Sequence, residues 1–139
     1  MPKILISDAM DNIAFEILSN NDLEVDIKTN LKPDELKKII SNYDGLIVRS
    51  ATKVTKDIIN LTSNLQIIGR AGAGVDNIDI EAAKNKNIVV MNTPGGNTNA
   101  TAEHTIALIF AILRKIPSAN DTTHRGLWEK KKMKGNELK

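Results

Sequence analysis

Short apolar runs alternate along most of this chain with segments whose apolar residues recur every three or four positions. Lys3-Ile4-Leu5-Ile6-Ser7-Asp8 predicts a buried strand that ends at its polar pair. Asp11 to Asn20 predicts a helix with Ile13, Ile17 and Leu18 on one face, and Asp8 or Asp11 is placed to cap it. Leu23-Glu24-Val25-Asp26-Ile27 alternates apolar with polar, as an edge strand does. Pro33 opens a helix that turns Leu36, Ile39 and Ile40 inward. Gly45 to Ser50 is another buried strand. Thr55 is placed to cap a helix carrying Ile58, Ile59 and Leu61. Leu65 to Gly69 and Ile88 to Asn92 are further strands, with a short helix from Ile80 to Lys86 between them. Strand and helix alternate through residue 92, so the pattern predicts an open parallel α/β sheet.

Thr93-Pro94-Gly95-Gly96-Asn97 breaks the pattern with a turn or hinge. A helix follows from about Thr98 to Lys115, capped by Asn97 or Thr98. Its segment Ile106 to Leu113 is apolar all round, which predicts burial on most sides at a domain or subunit interface. Pro117 stops it. The tail from Ser118 holds His124, Arg125, Trp128 and the run Lys130-Lys131-Lys132, with no further strand.

Composition narrows the chemistry. Aromatic residues make up only 3% of the 139 positions, so the core must be aliphatic. Cysteine is absent, which removes disulfides, thiolate metal sites and a cysteine nucleophile, and fits a cytoplasmic protein. His104 and His124 have no metal-ligand spacing. The formal net charge of +2 gives no argument for nucleic acid. The longest apolar run falls well short of the ~18 residues a membrane span needs.

One stretch carries candidate chemistry. In Ile67-Ile68-Gly69-Arg70-Ala71-Gly72-Ala73-Gly74-Val75-Asp76-Asn77 an apolar run ends in an arginine and a glycine-spaced turn. Glycines permit unusual φ values and close approach to a ligand. Exposed amides near the start of a helix favour an anion. Arg70 adds a planar, fixed positive charge. A tight turn with no ligand would also explain Gly72-Ala73-Gly74. In open parallel sheets ligands lie beyond the carboxyl ends of the strands. That edge collects Asp8, Arg49, Ser50, Arg70 to Gly74, Asn92 and Thr93. A structural ion pair is the alternative for Arg49, and a solvated face for the lysine run.

With these residues in view, the chain resembles the N-terminal part of the NAD-dependent D-2-hydroxyacid dehydrogenase family. The resemblance is carried by Leu46 to Thr52, Ile68 to Asp79 and Val90 to Asn97, with Ala102-Glu103 and Gly126 to Lys132. It implies a flavodoxin-like substrate domain over residues 1–92. It also implies that residues 93–139 form a hinge, a crossover helix and the start of an inserted Rossmann domain. A hydride would pass between C2 of a 2-hydroxy acid and the nicotinamide of NAD. By the same resemblance Arg49, Ser50 and Arg70 contact substrate, and the amides of the Gly72-Ala73-Gly74 turn hold its carboxylate. Asn97 lies near the nicotinamide, and Lys131 or a neighbour reaches a substrate phosphate in the other subunit. The helix from Thr98 would build a homo-oligomer. The implied substrate is a phosphorylated 2-hydroxy acid; other members act on glycerate, glyoxylate or lactate.

One departure accompanies the match. The family's G-x-G-x-x-G loop is expected soon after Gly135-Asn136-Glu137-Leu138-Lys139, where this sequence ends. Gly69 to Gly74 does not have that spacing. The family's catalytic arginine, glutamate and histidine are also expected beyond Lys139, so no catalytic residue is assigned here. The expectation is an N-terminal fragment, inactive alone. The alternative is a non-catalytic module that binds small acids or pairs with a longer subunit.

Overall fold

A computed structural model describes residues 1–138. Five strands form one parallel sheet: β1 (Lys3–Ile6), β2 (Glu24–Ile27), β3 (Gly45–Val48), β4 (Ile67–Arg70) and β5 (Val89–Asn92), in the order β2-β1-β3-β4-β5. The flavodoxin-like order implied by the resemblance is therefore present. The helices between them are α1 (Ile13–Ser19), α2 (Pro33–Ile39), α3 (Lys56–Leu61) and α4 (Ile80–Asn85). A 3-10 turn over Ile40–Asn42 extends α2.

Alternating burial along the strands separates the two faces of the sheet. Leu5, Leu46, Val48 and Ile68 join Leu36, Ile40, Tyr43, Ile58, Ile59 and Ala83 in one core, under α2, α3 and α4. The β1-to-β2 crossover runs the opposite way along the sheet, so a right-handed connection puts α1 on the other face. There α1 packs near β2. Ile67, Val89 and Met91, at the far side of that face, are 36%, 56% and 55% exposed.

Several local expectations change. Asp8 does not cap α1; its carboxylate serves the loop after β3 instead. Asp11 does reach back, accepting from the Ile13 amide at 3.0 Å. Ile13 and Ile17 do not face inward: both are exposed, because α1 lies at the edge of the sheet and no residue of it is buried. Thr55 stands at the start of α3, but its side chain makes no capping bond, and Leu61 is exposed.

The chain divides into two compact units, Met1–Gly96 and Asn97–Lys139. In the second, α5 (Thr98–Leu113) has no residue buried within the chain itself, and Asn97 makes no side-chain cap. Arg114 and a left-handed Lys115 (φ 51°) end it. Pro117 does more than stop a helix. It stands in the first turn of α6 (Ile116–His124), which the sequence pattern left as irregular tail. Gly126, at φ 72°, closes α6, with the Leu127 amide returning to the Thr122 carbonyl. The lysine run forms a 3-10 turn, Lys130–Met133. The Asn136 amide then bonds the Leu113 carbonyl at 2.9 Å, folding the tail back onto the end of α5.

Candidate functional site

The carboxyl ends of β3, β4 and β5 lie level, with Val48 opposite Arg70 and Arg70 opposite Asn92. The loops that leave these strands therefore meet. Asp8 and Asn77 tie them together.

Asp8 follows β1 and is 5% exposed. Its carboxylate accepts the Arg49 amide at 2.6 Å, the Thr52 amide at 3.1 and 3.2 Å, and the Thr52 hydroxyl at 2.6 Å. Burial alone would push its pKa up. The Thr52 hydroxyl and the amides of Thr52, Arg49 and Ala51 outweigh that and hold it below the ordinary carboxylate value. The Ser7 hydroxyl donates to Thr52 Oγ1 at 3.1 Å, extending the network.

Asn77 has three arms. Its Nδ2 donates to the carbonyls of Arg49 (2.8 Å) and Thr52 (2.7 Å), and its Oδ1 accepts Arg70 Nε at 2.9 Å. Its own carbonyl accepts the Val54 amide. Neither hub was assigned from sequence. The sequence pattern puts Asp8 at this edge as a candidate helix cap and gives Asn77, inside the glycine motif, no role of its own.

Arg70 is largely enclosed, its side chain 12% exposed. Among the described residues its hydrogen bonding is confined to Nε, while the nearest anion, Asp76, stands 3.8 Å from Nη2 and is 87% exposed. The Nη edge thus keeps its donors. The turn above is pinned by its oxygens: the Gly72 carbonyl accepts the Thr93 amide (3.0 Å) and the Ala73 carbonyl accepts Asn92 Nδ2 (2.7 Å). Among the described residues the amides of Ala73, Gly74 and Val75 have no acceptor.

The glycines serve a different end from the one their spacing suggests. None of Gly69, Gly72 and Gly74 has positive φ. A Cβ on Gly72 would lie 2.6 Å from Arg70 Nη1, and one on Gly74 would lie 3.0 Å from Asp76 Oδ1. The missing side chain at Gly72 makes room for the arginine. Nor does the turn open a helix directly: α4 begins at Ile80, where the Asp79 side chain accepts the Ala82 amide.

Arg49, Ser50, Arg70, Gly72, Ala73 and Gly74 thus share one edge of the first unit. Arg49 is exposed and its Nη1 donates to the Ala9 carbonyl at 3.1 Å, so part of its fork is spent within the protein. Asn97 and Lys131 belong to the second unit and are not brought together in it. Asn97 precedes α5, whereas the lysine turn stands by its far end, where Lys115 Nζ donates to the Lys132 carbonyl. The length of α5, roughly 24 Å at 1.5 Å per residue, lies between. Lys132 pairs with Glu129, and no ion pair involves Lys130 or Lys131 among the described residues.

Among the described residues no group of His, Cys, Asp and Glu suits a metal ion, and no helix is long and apolar enough to cross a membrane.

The family model described as D-isomer specific 2-hydroxyacid dehydrogenase, catalytic domain, matches residues 4–132. The D-3-phosphoglycerate dehydrogenase of Archaeoglobus fulgidus is 48% identical over 137 residues, 99% of this chain and 26% of that protein. The protein of the same name from Sus scrofa is 51% identical over 136 residues, 98% and 26% of the two. The chain therefore spans about a quarter of the length of these curated relatives. Among solved structures, NAD+-bound 3-phosphoglycerate dehydrogenase from Entamoeba histolytica aligns with a TM-score of 0.73 at 40% identity, over 82% of this chain and 40% of that one.

Proposed function

Because the chain belongs to the D-isomer specific 2-hydroxyacid dehydrogenase family, we propose that it supplies the substrate-side half of a D-3-phosphoglycerate dehydrogenase. That enzyme oxidises 3-phospho-D-glycerate at C2 to 3-phosphohydroxypyruvate, a step toward serine. The observation that carries the proposal is the set of uncommitted donors at one sheet edge. The Nη edge of Arg70 and the amides of Ala73, Gly74 and Val75 lack acceptors among the described residues. A carboxylate is a planar acceptor that matches both kinds of donor. Arg49 and Ser50 stand on the adjoining loop and would complete the contact.

NAD is the hydride acceptor that family membership implies. The residues of this chain do not fit it as a cradle. Pyrophosphate cradles use a glycine loop that opens directly into a helix. Here the glycine turn and α4 are separated by Val75 to Asp79, and Asp79 already occupies the helix end. Asn97 is proposed as a contact to the nicotinamide, and Lys131, in the exposed lysine turn, as a contact to the phosphate of the other subunit's substrate. We assign residues 1–92 to the substrate domain and 93–139 to the hinge and crossover segment. Helix α5 is proposed to pair with a second copy, since Ile106, Leu108, Ile109, Phe110 and Ile112 are all at least 40% exposed.

Isothermal titration of the chain with 3-phospho-D-glycerate tests the proposal, with D-glycerate as the comparison lacking phosphate. Saturable binding that Arg49→Ala and Arg70→Ala both weaken is the expected result. A folded chain that binds neither acid would refute a preformed anion site. Equal affinity for the two acids would point to another member activity, on an unphosphorylated 2-hydroxy acid.

A further inference from the structure

The three arms of Asn77 define a role that the donor inventory alone does not. Its orientation is forced: Nδ2 faces two carbonyl oxygens and Oδ1 faces an N–H, so a flipped amide would oppose donor to donor and acceptor to acceptor. A guanidinium is planar and rigid, so a bond that fixes Nε fixes the plane in which both Nη groups lie. Asn77 therefore sets the direction of the free Nη edge of Arg70. By bonding the Arg49 and Thr52 carbonyls it also sets the spacing between the β3 loop and the β4 end. The two arginines are thus referenced to one side chain.

The residue type matters as much as the position. An aspartate could accept from Nε too, but it would neutralise the guanidinium and press its second oxygen against two carbonyls. Asparagine holds Arg70 with an uncharged acceptor and leaves the positive charge available. The remaining neighbour, Asp76, lies 3.8 Å from Nη2 but is mostly in solvent, where its charge is screened.

We propose that Asn77 is the positioning residue of the anion site, orienting Arg70 and registering it against the Arg49 loop without touching the ligand. This assignment rests on the anion-site reading above, and the test separates the two. Calorimetric titration of the 139-residue chain with 3-phospho-D-glycerate is run on the parent, Asn77→Ala, Arg70→Ala and the double variant. Alongside it, the Arg70 Nε–Hε signal is followed by nitrogen-15 NMR without ligand. Asn77→Ala is expected to weaken binding about tenfold in the parent, the worth of a hydrogen bond to a charged group, and to have a clearly smaller effect once Arg70 is gone, where only its hold on the Arg49 loop is left to lose. The protected Hε signal should disappear in Asn77→Ala. Equal weakening in both backgrounds, or an unchanged Hε signal, overturns the proposal. If the parent binds nothing, the anion site falls and the ligand-free Hε signal still decides whether Asn77 orients Arg70. Should Asn77→Ala fail to fold, the same cycle runs with Asn77→Asp. That variant should keep the Hε signal yet weaken the titration, and undiminished binding there would likewise overturn the assignment.

Discussion

Gly72 lies against the Arg70 guanidinium, so closely that a Cβ at residue 72 would stand 2.6 Å from Nη1. Gly72→Ala must therefore displace the guanidinium, the free end of a long side chain, while the backbone of the turn is unstrained. The expected stability loss in urea unfolding is about 1 kcal/mol, at the low end for overpacking. Affinity for 3-phospho-D-glycerate should fall about tenfold, because the donors that move are the ones offered to the ligand. Unaltered affinity would show that the Nη edge does not face the anion.

Asp8 gives the fold an acid-sensitive clasp. Its pKa is depressed in the folded chain. Its contribution to stability is therefore complete above the ordinary carboxylate range and is lost as pH falls through the depressed folded value. Asp8→Asn places an amide group where backbone donors converge. At pH 7 the loss should be on the order of 2–3 kcal/mol. The acid limb of the stability profile, measured by urea unfolding between about pH 2 and pH 5, should be shallower in the variant than in the parent. Parallel profiles would contradict this. Asp26 is also depressed, chiefly by the Tyr43 hydroxyl, so the difference between the two profiles isolates Asp8.

Tyr43 is 2% exposed. Its hydroxyl donates to Asp26 Oδ2 at 2.7 Å and accepts Lys28 Nζ at 3.0 Å. Tyr43→Phe keeps the ring and removes both bonds. A loss of about 1–2 kcal/mol is expected in chemical unfolding. The Asp26 carboxyl should titrate at higher pH, since its leading stabilising partner is gone. A carbon-13 NMR titration that leaves the Asp26 midpoint in place would disprove the link.

Helix α5 leaves Ile106, Phe110 and Ile112 at 54%, 42% and 76% exposure. At about 25 cal/mol per Å², covering a few hundred Å² of such surface is worth several kcal/mol. Concentration-dependent self-association is expected in size-exclusion chromatography with light scattering, and Ile109→Glu should suppress it. A parent chain that elutes as a monodisperse monomer at high concentration would rule this out.

Much of the frame was legible in the sequence because the strands are short apolar runs stopped by polar residues. Ser7-Asp8, Arg49-Ser50 and Asn92-Thr93 mark the edge where the loops gather, and the strand order followed from the family resemblance. The hubs were not legible. Whether Asp8 caps a helix or binds the Arg49 loop depends on residues some forty positions away, and no local pattern records that choice. The glycine spacing is visible in the sequence, but at Gly72 the reason for glycine is the volume of Arg70 and not φ. A three-armed asparagine looks like any turn asparagine until its neighbours are placed. Pro117 misled because proline both ends one helix and opens the next. The apolar run in α5 records hydrophobicity, and hydrophobicity does not say which surface covers it.

The strand pairing also sets the order in which this chain can become structured. Among the described residues no two strands are joined by a hairpin: Lys3 meets Glu24, Ile4 meets Gly45, Gly45 meets Ile67 and Ile67 meets Val89. Every sheet contact waits for a whole crossover to close, and parallel pairings of this kind form slowly. In the residues from Asn97 onward, α5 and α6 need only neighbouring turns, which assemble within about a microsecond. Refolding should show helical signal rising first, with the Arg49, Arg70 and Asn77 constellation among the last features to appear, since three loops must be in place before its hydrogen bonds can form.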